Sequence, residues 1–509
     1  MSRRTYRRIL CMAIVAFAAT AGWTAAAEAA DETAAPSELQ APAPTPASAS
    51  ASARTLSLAE AMRQGRNESR PVAAAEAKVL AAEARERQAR SHRLPTVSVE
   101  QAWMYTDSPA DVFGLQLNQE RFSFADFVAG DPNDPDWFDN SRTRLELSLP
   151  LYTGGELSGR IQQAELARTA EEEAAEGTGD QGALTAAQAY VQLAQAREQV
   201  ALLERSLETV TRHAQRAQAF VDQGLLVRSE LLRAQVEQAR IEDLLSAARG
   251  QARVAEANLS LQLGEELDRR WELEPLADPP PLEGDLDEWI AAADERPDLR
   301  AARNRLAAGE LEAQVQRAAG RPRVGLVVRQ DFFDEFPIGT NGSSTAVMAV
   351  ARMDLFSGGR HRAAAAAARA DAEAAGHQIA WMEDGVRLEV RDAYEQARSA
   401  RQRHRTAVLA QDAADEGERI VSQRFAQGVA QIIDLLDATT ARREAATREL
   451  VARADAHLAA LRLAVAAGQA PETMLRPNPN PVEIPQPSVP DAAAIGSSED
   501  PVVSPAEER

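Results

Sequence analysis

Two hydrophobic periodicities divide this chain. After Pro95, Val97, Val99, Gln101, Trp103 and Tyr105 share one parity, while Thr96, Ser98, Glu100 and Ala102 hold the other. Further on, Leu145, Leu147, Leu149 and Leu151 alternate with Glu146 and Ser148. The same pattern returns where Val324, Leu326 and Val328 oppose Arg323 and Arg329, and where Val347, Ala349, Ala351, Met353 and Leu355 oppose Arg352 and Asp354. Period-two alternation predicts half-buried strands. Two environments fit it: a soluble sheet with one wet face, or strands with lipid outside and water inside. Four strands are too few to close a barrel, which starts at about eight. In a membrane, several chains must therefore share one barrel.

Most of the remaining chain is rich in Ala and in charge, a composition suited to long helices packed side by side. It is also written twice, and repeats are best sought first. Arg70-Pro71 opens a helical run that ends at Pro95, and Arg296-Pro297 opens one that ends at Pro322. Leu151-Tyr-Thr-Gly154-Gly155 recurs as Leu355-Phe-Ser-Gly358-Gly359, and the turn at Gly224 recurs at Gly428, both 204 positions on. Each copy is predicted to hold a helix, two strands, a very long helix, a tight Gly turn and a shorter long helix. The long helices are expected over about 156–220 and 360–425, roughly 100 Å each at 1.5 Å per residue. Their partners are expected from Ser229 to about Gly264 and from Gln431 to about Ala467. Gly177-Thr-Gly-Asp180, and Gly376 or Gly385, are expected to bend or break the long helices.

The fold class is thus mainly α with a strand part. Residues 55–270 form the first repeat, 271–294 a Pro-rich connector with a short helix near Asp285–Ala293, and 295–469 the second repeat. The first hairpin is the longer, 56 residues from Pro95 to Leu151 against 33 from Pro322 to Leu355. Its excess carries Phe113, Phe122, Phe124, Phe127, Trp137 and Phe138 and is expected as a solvated connection, the alternative being a loop with a partner of its own.

The ends carry other signals. Arg3, Arg4, Arg7 and Arg8 precede an apolar run from Ile9 to about Ala21 and then small residues, the tripartite pattern of a signal peptide over 1–29. That run is shorter than the roughly 20 residues a helical span requires. Residues 30–54 are an Ala/Pro/Ser linker, and 470–509 a Pro-rich acidic tail, both of disordered composition. The exported chain can then cross a membrane only as strands, because lipid tolerates only helices and closed barrels.

Composition narrows the chemistry. Of 509 residues, Asp and Glu number 77 and Lys and Arg 56, for a net charge of −21, which argues against nucleic acid. Cys11 is the single cysteine, so neither a disulfide framework nor a thiolate metal site is available. The six His show no i, i+3 or i, i+4 pairing, which argues against a helical zinc site. No catalytic, cofactor or metal residues are assigned, and the chain is expected not to be an enzyme.

Over residues 55–469 the chain resembles the TolC family of outer-membrane efflux proteins. Three motif sets carry the likeness: the corners Leu149-Pro-Leu-Tyr-Thr-Gly-Gly155 and Asp354-Leu-Phe-Ser-Gly-Gly359, the first turn Gly224-Leu-Leu-Val-Arg-Ser-Glu-Leu-Leu-Arg-Ala-Gln235, and the second turn Gly428-Val-Ala-Gln-Ile-Ile-Asp-Leu-Leu-Asp-Ala-Thr-Thr440. The resemblance implies a homotrimer in the outer membrane, four strands per chain in a shared twelve-stranded β-barrel, and a periplasmic α-helical barrel. It implies a passive conduit whose tips meet a periplasmic adaptor (membrane fusion) protein tied to an inner-membrane pump. The outer component of a type I protein secretion system is an alternative within the class, and a soluble periplasmic coiled-coil adaptor is one outside it.

The resemblance also places a pore constriction at Asp434 and Asp437, three apart and so on one helix face. Threefold symmetry would make two rings of carboxylates that favour cations. The other reading is an exposed acidic turn stabilised by the helix dipole. Family gate positions fall at Ser229, Glu230 and Phe425, where Phe425 lacks the hydroxyl of the family latch and Ala430 stands in place of its arginine. Gly224 and Gly428 supply the left-handed turn residue. Leu225, Leu226 and Val227, with Ile432 and Ile433, are candidates for the adaptor contact, against packing within the tip.

Overall fold

The computed structural model describes residues 55–475 except Ile338. The expected signal peptide, the linker and most of the expected tail lie outside the described residues. In chain order the elements are α1 (Leu58–Glu68), α2 (Arg70–Ser91), β1 (Thr96–Thr106), α3 (Pro109–Asn118), α4 (Phe124–Ala129), β2 (Phe138–Tyr152), α5 (Glu156–Asp222), α6 (Arg228–Gln262), α7 (Leu286–Ala293), α8 (Pro297–Ala318), β3 (Arg323–Asp334), β4 (Gly342–Arg352), α9 (Arg360–Ala426) and α10 (Ile432–Ala466).

The duplication is carried into the backbone. α5 and α9 each have 67 residues and α6 and α10 each have 35, and all four boundaries recur 204 positions later. At 1.5 Å per residue the long helices run roughly 100 Å. α2 and α8 have 22 residues each, and both carry Pro in the first turn, where a missing N–H costs nothing. A double glycine turns each strand into its long helix, with Gly155 at φ 95° and Gly359 at φ 82°. α8 packs against both α5 and α9 and so joins the two repeats.

The long helices are unbroken, contrary to the expectation at Gly177–Asp180 and at Gly376 or Gly385. The glycines of α5 mark a close helix crossing instead. A Cβ on Gly182 would come within 2.5 Å of the Gly65 carbonyl oxygen on α1, so the small residues let α1 press onto α5. Arg66 pairs there with Asp180, and at 3.1 Å with Glu472. Burial raises the Asp180 carboxyl above its ordinary range despite the guanidinium beside it.

About half of the buried hydrophobic residues are Ala, which lets the helices pack closely. Tyr190 of α5 is its largest fully buried member. Its hydroxyl donates to the carbonyls of Glu274 at 2.7 Å and Leu56 at 3.1 Å. That knot ties the start of the first repeat and the start of the connector to the helix wall, with Trp271 buried alongside. The connector holds α7 as expected, started by a capping box between Asp285 and Glu288. The first residues of the expected tail are folded: Pro471–Leu475 form a 3-10 turn, and Met474 and Leu475 pack on the helical core.

The strands form one antiparallel sheet in the order β1-β2-β3-β4. β4 ends at Arg352, so Met353 and Leu355 of the expected strand lie beyond it. Both are exposed, and the ladder they would join is already closed by the Arg323–Arg352 pair. The first hairpin connection is not a plain solvated loop. It folds into α3 and α4 around Phe113, Phe122 and Phe127, whose ring centroids lie 5.2 to 5.7 Å apart.

Candidate functional site

Register fixes what each sheet face presents. Val99 pairs with Leu145, Leu147 with Val328, and Val328 with Val347, so the apolar parities of all four strands fall on one face. From the level of Gln101 and Phe332 down to the helical end, this face carries no charged residue. Its few polar groups bond to one another: Gln101 Nε2 donates to Ser141 Oγ at 2.6 Å, and Thr345 Oγ1 to Gln330 Oε1 at 2.5 Å.

The opposite face carries the charges. Arg142 meets Glu100 at 3.0 Å, Arg144 meets Asp331 at 2.7 Å, and Arg329 meets Glu146 at 2.6 Å. Each pair is a direct or diagonal cross-strand neighbour, the geometry in which opposite charges help a sheet. An apolar face of this kind suits lipid, and an ion-paired face suits water. Among the described residues no helix is long and apolar enough to cross a membrane.

The two helical hairpins end together, on the order of 100 Å along the helices from the strands. Gly224 and Gly428 turn them with φ 72° and 71°. Between the hairpins lies an apolar plug of Ala217, Leu231, Ala234, Phe425, Ile432 and Leu435. Phe220 tilts against Phe425 at 5.8 Å between centroids.

That plug revises two expectations. Phe425 is 2% exposed and packs inside the tip, so it is a packing residue and not a latch. Ile432 is 1% exposed, sits in the same plug and cannot contact another protein. Both follow from helix geometry, since 425, 432 and 435 all face the inter-hairpin seam. Leu226 and Ala430 also lean on the plug. The exposed apolar residues at the tip include Leu225, Val227, Ile433 and Val429, the last missed by sequence reasoning. Val429 is the residue after a turn glycine, and its exposure was legible from that position alone.

Asp434 and Asp437 are both exposed on one side of α10, opposite buried Leu435. Asp434 also has a local role: its Oδ2 accepts from the Gln431 backbone N–H at 3.1 Å, half of a capping box. Ser229 is exposed in the first turn of α6, and Glu230 pairs with Arg233 at 3.6 Å. The single chain does not bring Ser229 or Glu230 to Phe425 through any hydrogen bond.

Other polar contacts clamp the hairpins and were not legible from motifs. Arg443 of α10, 7% exposed, bonds Glu237 of α6 at 2.9 Å. His213 of α5 is buried with Glu418 of α9 at 3.9 Å. Burial, helped by Arg216 and Arg212, lowers the His213 pKa to about 4. Among the described residues no group of His, Cys, Asp and Glu is placed to hold a metal ion.

A family model for outer membrane efflux proteins matches residues 61–265 and 291–469. No curated protein matches the chain by sequence. Several solved structures share the fold. The outer membrane protein VceC of Vibrio cholerae superposes with TM-score 0.66 at 18% identity, covering 81% of this chain and 96% of its own. The MtrE outer membrane channel of Neisseria gonorrhoeae, crystallised in its open state, gives 0.64 at 17%, covering 81% and 89%. The CmeC outer membrane channel of Campylobacter jejuni gives 0.66 at 14%, covering 81% and 85%. With the family match spanning both repeats, the chain belongs to the outer membrane efflux proteins, the TolC type of channel, seated in the outer membrane and extending into the periplasm.

Proposed function

We propose that three copies of this chain close one twelve-stranded barrel and one helical tube, a passive duct from an inner-membrane pump and its periplasmic adaptor to the outside. The observation that carries this reading is the sheet: all its membrane-level charge lies on one face, and β1 and β4 leave unpaired edges. An open edge is a pairing template, and closure removes it.

The internal repeat supports assembly of several copies. Leu184 is 6% exposed while Leu388, its counterpart 204 positions on, is 68% exposed. Leu458 is 9% exposed while its counterpart Val254 is 71% exposed. At these positions the surface that one repeat covers within the chain is left bare by the other, so a neighbouring copy in the same relation would cover it. The residues for the adaptor contact are Leu225, Val227, Val429 and Ile433, set beside the Gly224 and Gly428 turns.

In the assembled tube, Asp434 and Asp437 form the narrowest charged rings. Rings of carboxylates attract cations and repel anions. Planar-bilayer recording tests this: replacing both by Ala should weaken cation selectivity and relieve block by multivalent cations. Unchanged selectivity would remove these residues from the constriction.

A further inference from the structure

The first hairpin connection, Pro109 to Trp137, does not stand up from the end of the sheet. It folds over one face, and strand parity says which. Phe138, Asn140, Phe333 and Gly342 all have the parity of Arg142, Arg144 and Arg329, the ion-paired face. Each of the four is covered. Gln119, 1% exposed, sends its Nε2 to Asn140 Oδ1 at 3.2 Å and to the carbonyls of Asp139 and Asp334 at 2.9 and 3.3 Å. The Arg121 guanidinium lies 5.5 Å over the Phe138 ring. A Cβ on Gly342 would run into the Asn118 carbonyl, and Phe333 is 7% exposed. Arg121 also pairs with Glu335 in the second hairpin, so the segment is fastened to both hairpins.

We infer that α3, α4 and the residues between them are a cap over the outer mouth of the pore, a second constriction that limits the size of what leaves. This rests on the reading that the ion-paired face lines the lumen. Given that face, a segment packed on it at the strand ends occupies the opening, and three copies occupy it from three sides. The cap has its own cluster of packed rings, Phe113, Phe122 and Phe127, so it blocks as a folded body. The second repeat has no such insert: its strands are joined by residues 335–341 alone. The exit filter is therefore a feature of one repeat, whereas the tip is built from both.

Cysteine labelling in intact cells tests the cap and the lumen face separately. Ala346, exposed and four residues inward from Gly342, has the lumen parity, and its neighbour Val347 has the lipid parity. Full-length Ala346→Cys and Val347→Cys chains are treated from outside with a small sulfonated maleimide or with a polymer-linked one, the parent chain giving the background. The small reagent should label Ala346→Cys and the polymer should not. Replacing residues 109–136 by a short Gly/Ser linker should raise polymer labelling roughly tenfold or more, as expected when a closed segment is removed from an access path. Gln119→Ala with Arg121→Ala should act in the same direction should the linker chain fail to assemble. Equal polymer labelling with and without the cap overturns the cap. Labelling of Val347→Cys with Ala346→Cys inert in every form overturns the lumen assignment on which it rests.

Discussion

The two repeats differ in an instructive way. Their long helices keep every boundary at the same spacing, while their strand hairpins have diverged. β2 runs 15 residues against 11 for β4, and only the first hairpin carries α3 and α4. The reason lies in packing. Both helical hairpins meet in one plug, where Phe220 of the first touches Phe425 of the second. A helix lengthened by one residue moves its tip 1.5 Å and turns it 100°, which would take Phe425 out of the seam. Strand connections have no such partner at a fixed distance, so they are free to specialise.

The comparison breaks most severely under a length change in one repeat. Deleting about two helical turns from the middle of α9 alone should abolish trimer yield and export, because the plug can no longer form. Matched deletions in α5, α6, α9 and α10 should restore assembly in part, read by crosslinking in the outer membrane. Next comes the plug itself. Phe425→Ala should cost about 3–5 kcal/mol of tip stability, followed by denaturant unfolding of the detergent-held protein, whereas Phe425→Leu should cost less.

Acidification gives a smaller effect. His213 takes a proton near pH 6.5 when unfolded but near 4 when folded. The unfolded state therefore binds more protons between those values, and stability falls as the pH falls from 6.5 toward 4. The slope there is at most about 1.4 kcal/mol per pH unit, and it should flatten in His213→Gln, measured by urea unfolding at pH 7.5 and pH 5. Smallest of all is the exposed tip. Leu225→Ser and Val429→Ser should change stability by no more than about 0.5 kcal/mol, yet should lower the yield of adaptor crosslinked at the Gly224 and Gly428 turns.

Much of this architecture was legible in the residues. The strand parity, the Gly turns and the common spacing located the sheet, both long hairpins and the tip before any contact was known. What escaped was set by contacts between distant segments. Gly177-Thr-Gly-Asp180 suggests a helix break, but Gly179, with Gly182 beyond it, lies close against α1 at Arg66 and Gly65. Ile432 lies beside a turn and suggests exposure, but the facing hairpin buries it. The aromatic residues of the first connection suggest a loose loop because their partners, Gln119 with Asn140 and Arg121 with Phe138, are not neighbours along the chain. Asp434 shows a local cap in the single chain, and the ring proposed for it would form only in the assembly.

The central claim is that one chain supplies a third of a lipid-facing barrel. Light scattering of the full chain, purified from outer membranes in mild detergent and corrected for bound detergent, counts the copies directly. The account predicts three per particle and aggregation when detergent is withdrawn; a monodisperse monomer that stays in solution without detergent would contradict it.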